Sequence, residues 1–327
     1  MQISNRSGHI IAGPGGVLAA TLILAVSGRY GIFRDELYYW ACARRLAWGY
    51  VDHPPLSIFV LHFLGDSLWL LKLPAALAFG LAVFLMARQA ITMGAGPWGT
   101  AVTTIATALC PLLAGVAGLY SMNVLEIAFW AIATTITTRL LVAPTRSSWI
   151  SLGAVIGLGV LNKYSMLLFL AGLSVGLLLT PARRQLITPG PWLAGLIAVV
   201  IISPHAAWEV NHGLPSLEFM RNATNVKMAT ISPLDFIEEQ IVDTNPAFAI
   251  CWLLGLGGLL LTRRLAPWRA HGVAFLVSAG VLMASRTARA SYLAPSYSLL
   301  LPAGGVMLEQ LVPSTAVWGR RLVLAVM

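Results

Sequence analysis

Apolar residues run through this chain in long blocks broken by short polar gaps, instead of alternating with polar ones as they would on a half-buried strand or helix. A membrane-spanning helix needs about 20 consecutive apolar residues. On that measure the blocks predict ten helices, at 10–29, 70–90, 97–118, 122–142, 149–164, 165–181, 190–208, 246–262, 270–285 and 292–311. The fifth and sixth are the least clearly separated, because only Asn162-Lys163-Tyr164 interrupts them. The first block has no small-residue cleavage site, and a polar loop follows it directly, so it reads as a retained helix and not as a signal peptide. A fresh apolar start, Leu322 to Met327, follows Arg320 and Arg321. The pattern predicts an all-α integral membrane fold. Residues 1–327 read as one transmembrane domain, with no internal repeat, low-complexity linker or separate soluble C-terminal domain.

Composition agrees. Of the 327 residues, 58% are hydrophobic and only 10% charged, against about 25% charged in a soluble domain. The net charge of +9 would suggest nucleic acid in a soluble protein. Here the basic residues sit in gaps between apolar blocks, with no basic tract interleaved with aromatics, so nucleic acid is excluded as a partner. Cys42, Cys110 and Cys251 are odd in number, far apart and form no CxxC, which supports neither a disulfide framework nor a zinc site.

The gaps differ in sign. Alternate gaps carry Arg6, Arg88, Arg139, Arg146, Arg183, Arg184, Arg263, Arg264, Arg269, Arg320 and Arg321, and only Glu309 among the acids. By the positive-inside rule this basic face is cytoplasmic. The opposite face receives both long loops, about 30–69 and 209–245, together with the unusual polar clusters. The expected location is the inner (plasma) membrane, with a multi-pass chain and its site on the extracytoplasmic face.

The richest cluster opens the first loop. Arg34-Asp35-Glu36-Leu37-Tyr38-Tyr39 begins a segment whose pattern, to about Ala47, suits an amphipathic surface helix. Asp35 and Glu36 occupy its first turn, where the helix dipole favours anions. Ala47-Trp48-Gly49-Tyr50-Val51-Asp52-His53-Pro54-Pro55-Leu56 returns to the membrane, and the proline pair opens a second short helix. Two readings stand. In one, Asp35 and Glu36 only cap a surface helix. In the other, they converge with Asp52 and His53 over one cavity, where a carboxylate acts as general base.

Further clusters share this face. Glu126 follows Tyr120-Ser121-Met122-Asn123 just inside the membrane edge, where a carboxylate costs about 2.5–3.5 kcal/mol and reads as functional by default. The other reading is a side chain snorkelling to the interface. Lys163 is a lone cation at the same level, either snorkelling or meeting a phosphate. His205, Glu209 and His212 have spacings compatible with a metal set, although such pairs arise readily by chance, and this stretch reads better as shaping an acceptor groove. Arg286 and Arg289 break the positive-inside trend. Arginine's planar fork suits bidentate phosphate binding, with interface anchoring as the alternative.

Arg-Asp-Glu-Leu-Tyr-Tyr followed by Ala-Trp-Gly-Tyr-Val-Asp-His-Pro-Pro-Leu resembles the first extracytoplasmic loop of bacterial GT-C glycosyltransferases. The relevant branch holds the dolichyl-phosphate-mannose protein mannosyltransferases and the lipid A aminoarabinose transferases. The resemblance extends over about residues 30 to 310. It implies a GT-C fold of about ten transmembrane helices, with short surface helices in the first loop. It places Asp35 and Glu36 at the catalytic site, with Asp35 as the favoured base. Arg34, Asp52, His53, Glu126, Lys163, Arg289 and Tyr292 then bind substrate. Aminoarabinose transferases carry Lys where His53 stands; protein mannosyltransferases have His before the proline pair, as here. Many relatives carry Asp where Glu126 stands. The segment Arg289-x-x-Tyr292-Leu-x-Pro resembles the family's stretch near the lipid-linked phosphate.

The implied activity is transfer of a hexosyl or pentosyl group from a polyprenyl-phosphate sugar to an extracytoplasmic lipid, glycan or protein of the cell envelope, with inversion. No Walker A loop or GxGxxG unit is present, which fits a lipid-linked donor. No cofactor is required, no metal ligands are assigned, and a divalent cation is optional. The expected partners are the polyprenyl-phosphate-linked sugar, membrane lipids and an unknown acceptor. Two other classes remain at this stage. One is a lipid or sugar transporter or flippase, which would be expected to show paired broken helices in related halves. The other is a non-catalytic assembly subunit that kept the fold.

Overall fold

The computed structural model describes residues 3–64, 67–228 and 230–327, without the side chains of residues 3–7 and of Lys227. Asp66 and the side chain of Arg6 therefore lie outside the described residues. All regular structure among them is helical. α1 (Ile3–Tyr30) is followed by two short helices of the first loop, α2 (Arg34–Ala43) and α3 (Leu56–His62). Then come α4 (Leu68–Thr92), α5 (Pro97–Leu109), α6 (Pro111–Ala117), α7 (Met122–Leu140), α8 (Arg146–Asn162) and α9 (Met166–Leu178). A 3-10 turn (Pro181–Ile187) leads into α10 (Pro189–Asn211). The second loop holds α11 (Pro215–Asn222), a π turn (Ala223–Lys227) and α12 (Pro233–Asp243). α13 (Pro246–Leu261), α14 (Arg269–Ser285), a 3-10 segment (Ala290–Leu299), α15 (Leu301–Leu311) and α16 (Val317–Val326) follow.

Helix starts are set by proline and by short capping side chains. Pro97, Pro111, Pro189, Pro233 and Pro246 occupy first-turn positions, where the missing N–H costs nothing. Ser121 Oγ and Thr145 Oγ1 accept from the backbone N–H groups of Asn123 and Ser148, each at 3.2 Å. Proline also explains two departures from expectation. The predicted helix 97–118 breaks at Cys110, and α5 and α6 meet at a 55° bend before Pro111. The predicted helix 292–311 is a 3-10 segment through Leu299, with Pro295 inside it, and becomes α-helical only from Leu301. The surface helix expected to run to about Ala47 ends at Ala43.

Among the described residues three helices, Gly8–Tyr30, Leu68–Thr92 and Pro189–Asn211, are each long and apolar enough to cross a membrane, or up to six if each bent pair is one span. α8, α13 and α14 have 17, 16 and 17 residues. At 1.5 Å per residue they reach only about 24–26 Å, against a hydrocarbon core of about 30 Å.

Lipid tails give apolar helices no hydrophobic reason to associate, so close packing does the work. On α8, a Cβ at Gly153 would lie 2.4 Å from the Ala194 carbonyl oxygen, and one at Gly157 would lie 2.8 Å from Ile201 Cβ. α10 therefore seats directly on the α8 backbone.

The two ends of the bundle are chemically distinct. At the basic face Arg264 donates to the Gly94 carbonyl, Glu309 accepts from the Gly96 N–H, and Arg320 lies over Trp98. The opposite, loop-bearing face gathers the first loop, the start of α7, the Asn162–Ser165 turn and the second loop.

Candidate active site

α2 is fixed to the bundle by Glu36, which is fully buried. Lys72 Nζ lies 2.6 Å from both carboxylate oxygens; Oε1 also accepts the Tyr120 N–H and Oε2 the Phe33 N–H, each at 2.8 Å. A carboxylate offers about four lone-pair directions, and all are used. Glu36 thus has none left for a further partner. Reading the sequence alone missed Lys72, although a lone cation inside the apolar start of α4 is the kind of residue that requires a buried partner.

Asp35, the next residue, differs in exposure and in partners. Its side chain is 55% exposed and its only ion-pair partner among the described residues is the adjacent Arg34, whose Nε donates to Oδ1 at 3.1 Å. Asp35 and Glu36 both line a cleft of about 110 Å³, with Phe33, Gly115, Val116, Leu119, Tyr120, Ser121 and Asn123, but only Asp35 is exposed there. A buried, saturated carboxylate therefore holds an accessible one at the mouth of a cleft beside the start of α7.

Asp52 and His53 stand next to this pair. Tyr38, one helical turn beyond Arg34, donates its hydroxyl to Asp52 Oδ1 at 2.6 Å. Burial first, then that bond and the negative charge of Asp52, hold the Tyr38 hydroxyl well above its usual titration range, so it remains a donor. His53 is buried, stacks on Tyr39 at 4.9 Å, and donates from Nδ1 to the Pro54 carbonyl at 2.9 Å. Burial lowers its pKa, against smaller opposing effects of the Pro54 carbonyl and Asp52. A neutral ring donating from Nδ1 leaves Nε2 as a bare acceptor, buried, with no hydrogen-bond partner among the described residues and 3.7 Å from Asp52 Oδ1.

The start of α7 ties the clusters together. Tyr39 Oη accepts the Met122 N–H at 3.1 Å, and Asn162 Nδ2 donates to the Met122 carbonyl at 2.8 Å. One turn on, buried Glu126 accepts from Lys163 Nζ at 2.6 Å and from the Ser165 hydroxyl. Lys163 Nζ also lies 5.4 Å from the Tyr292 ring centroid. The structure thus joins Glu126, Lys163 and Tyr292 into one group, with the charge of Lys163 already compensated.

Arg289 sits elsewhere. It is exposed, precedes the 3-10 segment and lines an open cleft of about 470 Å³ with Asp235 and Glu239 of α12. Among the described residues no carboxylate lies within ion-pair distance of it.

His205, Glu209 and His212 do not converge as ligands. His205 Nδ1 donates to the Trp48 carbonyl at 2.7 Å and its Nε2 meets Tyr164 Oη at 2.7 Å. Glu209 accepts from the Ser216 hydroxyl at 2.6 Å and from Tyr164 Oη at 3.1 Å, while His212 stacks on Trp208 at 4.3 Å. Among the described residues no group of three His, Cys, Asp or Glu side chains is arranged to hold a metal ion. The network instead clamps the first loop to the second, which spacing along the chain does not reveal.

Comparison with known proteins gives a consistent picture. Residues 52–208 match the family described as dolichyl-phosphate-mannose-protein mannosyltransferase. A lipid A galacturonosyltransferase of Rhizobium johnstonii is 26% identical over 268 residues, covering 76% of this chain and 54% of that protein. This chain thus spans about half the length of that relative. ArnT from Cupriavidus metallidurans, solved bound to undecaprenyl phosphate, superposes with a TM-score of 0.73 at 19% identity, over 94% of this chain and 61% of that one. The oligosaccharyltransferase AglB from Archaeoglobus fulgidus, solved with an inhibitory peptide and a dolichol-phosphate, superposes with a TM-score of 0.60 at 12% identity, over 98% of this chain and 52% of that one. At these identities the two structures establish a shared fold.

Proposed function

We propose that the chain is a GT-C membrane glycosyltransferase that moves a sugar from a polyprenyl-phosphate donor to an acceptor at the extracytoplasmic face of the plasma membrane. The observation that carries the reading is the contrast within one acid pair. Glu36 is buried and saturated, and Asp35 is accessible at a cleft. A general base must reach its proton and be free to accept it.

The reaction is a single displacement. An acceptor hydroxyl or amine attacks the anomeric carbon as the bond from that carbon to the phosphate oxygen breaks, with inversion. Asp35 takes the acceptor proton, and polyprenyl phosphate leaves with its charge met by a cation. We assign that role to Arg289, because Lys163 is paired with Glu126 and His53 is neutral; the assignment requires the donor to reach from the Asp35 cleft to the separate cleft that Arg289 lines. Asp52, held by Tyr38, can accept hydrogen bonds from the sugar or the acceptor, and buried His53 backs it. Glu126, through Lys163 and Tyr292, shapes the wall of the site.

Mass spectrometry of envelope lipids and glycans from cells with and without the protein tests the activity. A glycan or lipid species lighter by one sugar in its absence is the expected result. Unchanged profiles would favour the assembly-subunit reading.

A further inference from the structure

Consecutive helices α8 and α9 diverge, because each is packed against a different partner. Gly153 and Gly157 seat α8 on α10. Gly172 and Gly176 seat α9 on α14, where added Cβ atoms would lie 2.7 and 2.4 Å from the carbonyl oxygens of Ala274 and Ala270. The space left between the two pairs is an apolar groove of about 470 Å³, with Trp149, Ile156, Leu170, Leu173, Trp192 and Val199 among its walls. It follows α10 from Trp192 to Ile202, about 15 Å at 1.5 Å per residue.

One end of this groove is charged. Leu177 and Leu186 line it at the basic face, and on the turn between them Thr180, Arg183 and Arg184 line an open cleft of about 340 Å³. Trp192 Nε1 donates to the Leu186 carbonyl at 3.0 Å and holds this turn against α10. Both arginines are exposed, and among the described residues neither has a carboxylate within ion-pair distance.

We propose that this groove is a binding site for an anionic phospholipid, with an acyl chain between α8, α9 and α10 and the headgroup phosphate on Arg183 and Arg184. The apolar walls accept any acyl chain; the two guanidinium groups select negative charge and can bind phosphate in a bidentate manner. A second copy of this chain is a poorer occupant. It would have to bring an acid to the two arginines, and the acid of the basic face, Glu309, is engaged with the Gly96 N–H. A lipid seated here links the α8–α10 pair to the α9–α14 pair and stabilises the bundle by binding it.

The test is lipid binding, which needs no sugar transfer and so stands apart from the proposed activity. The full chain is purified in detergent and titrated with phosphatidylglycerol or phosphatidylcholine of the same chain length, with bound lipid read by native mass spectrometry. Phosphatidylglycerol should bind about 25-fold more tightly, at about fivefold per arginine, and the R183Q/R184Q double variant should abolish that preference. Gly195→Leu should weaken both lipids, since Gly195 lines the groove and a Cβ there meets nothing within 4 Å. Equal binding of the two lipids, or a preference that survives the double arginine variant, overturns the proposal. So does a dimer that Gly195→Leu dissociates, which would make the groove a self-interface. If Gly195→Leu fails to fold, the arginine variant decides alone.

Discussion

Lys72 and Glu36 form a fully buried ion pair, with Nζ 2.6 Å from each carboxylate oxygen, that joins the first-loop helix α2 to the membrane helix α4. Removing one partner of such a pair strands the other charge and costs about 3–5 kcal/mol. Lys72→Met should therefore lower the unfolding temperature of the purified protein sharply. Adding Glu36→Gln should recover much of the loss, since the amide oxygen still accepts from Tyr120 or Phe33. Thermal unfolding in detergent checks this; a single variant as stable as wild type would mean that the pair does not anchor the loop.

His53 makes a prediction about pH. Burial lowers its folded pKa below the ordinary 6.5, so at acid pH the unfolded chain binds the proton more readily than the folded one. Stability is then fully present above about pH 6.5 and falls as the pH drops below it. The unfolding temperature should decline between pH 7.5 and pH 5.5, and His53→Gln should show a smaller decline. Identical pH profiles for the two proteins would contradict the assignment.

Arg289 is assigned to the donor phosphate. Arg289→Lys keeps the charge and loses the bidentate fork; Arg289→Ala loses both. Donor affinity should fall in both variants, with a loss of about 1–3 kcal/mol in the alanine variant. Isothermal titration with a polyprenyl phosphate measures it, and unchanged affinity in Arg289→Ala would remove Arg289 from the site.

Orientation is open to direct mapping. Reporter fusions after Arg184 and Arg264 should report the cytoplasm, and a fusion at Gly213 the opposite side. The reverse pattern would put the acid cluster in the wrong compartment for a lipid-linked donor presented outside the cytoplasm.

The helices and the acid pair were legible in the sequence because both are local signals. Apolar blocks marked most helix positions, and the prolines at 54 and 55 marked α3. What was not legible depends on contacts between distant segments. Lys72 meets Glu36 across 36 residues, and His205 reaches the Trp48 carbonyl across 157. Periodicity carries no information about such pairs. It also does not say which of two adjacent acids turns inward, and the contrast between Asp35 and Glu36 rests on that. The break at Cys110 was written in Pro111, but an unbroken apolar run concealed it.

Asp35 carries the proposed chemistry. Asp35→Asn keeps the size and most of the hydrogen bonding of the side chain but cannot take up the acceptor proton. The decisive measurement is sugar transfer from a synthetic polyprenyl-phosphate donor by purified wild type and Asp35→Asn in nanodiscs, with the unfolding temperature of each. Turnover should fall by about 10²–10⁴, the range of general-base catalysis, with stability close to wild type because the Asp35 side chain is more than half exposed. Wild-type turnover in Asp35→Asn, accompanied by a stability loss of about 1 kcal/mol as expected of a helix-capping acid, would contradict it.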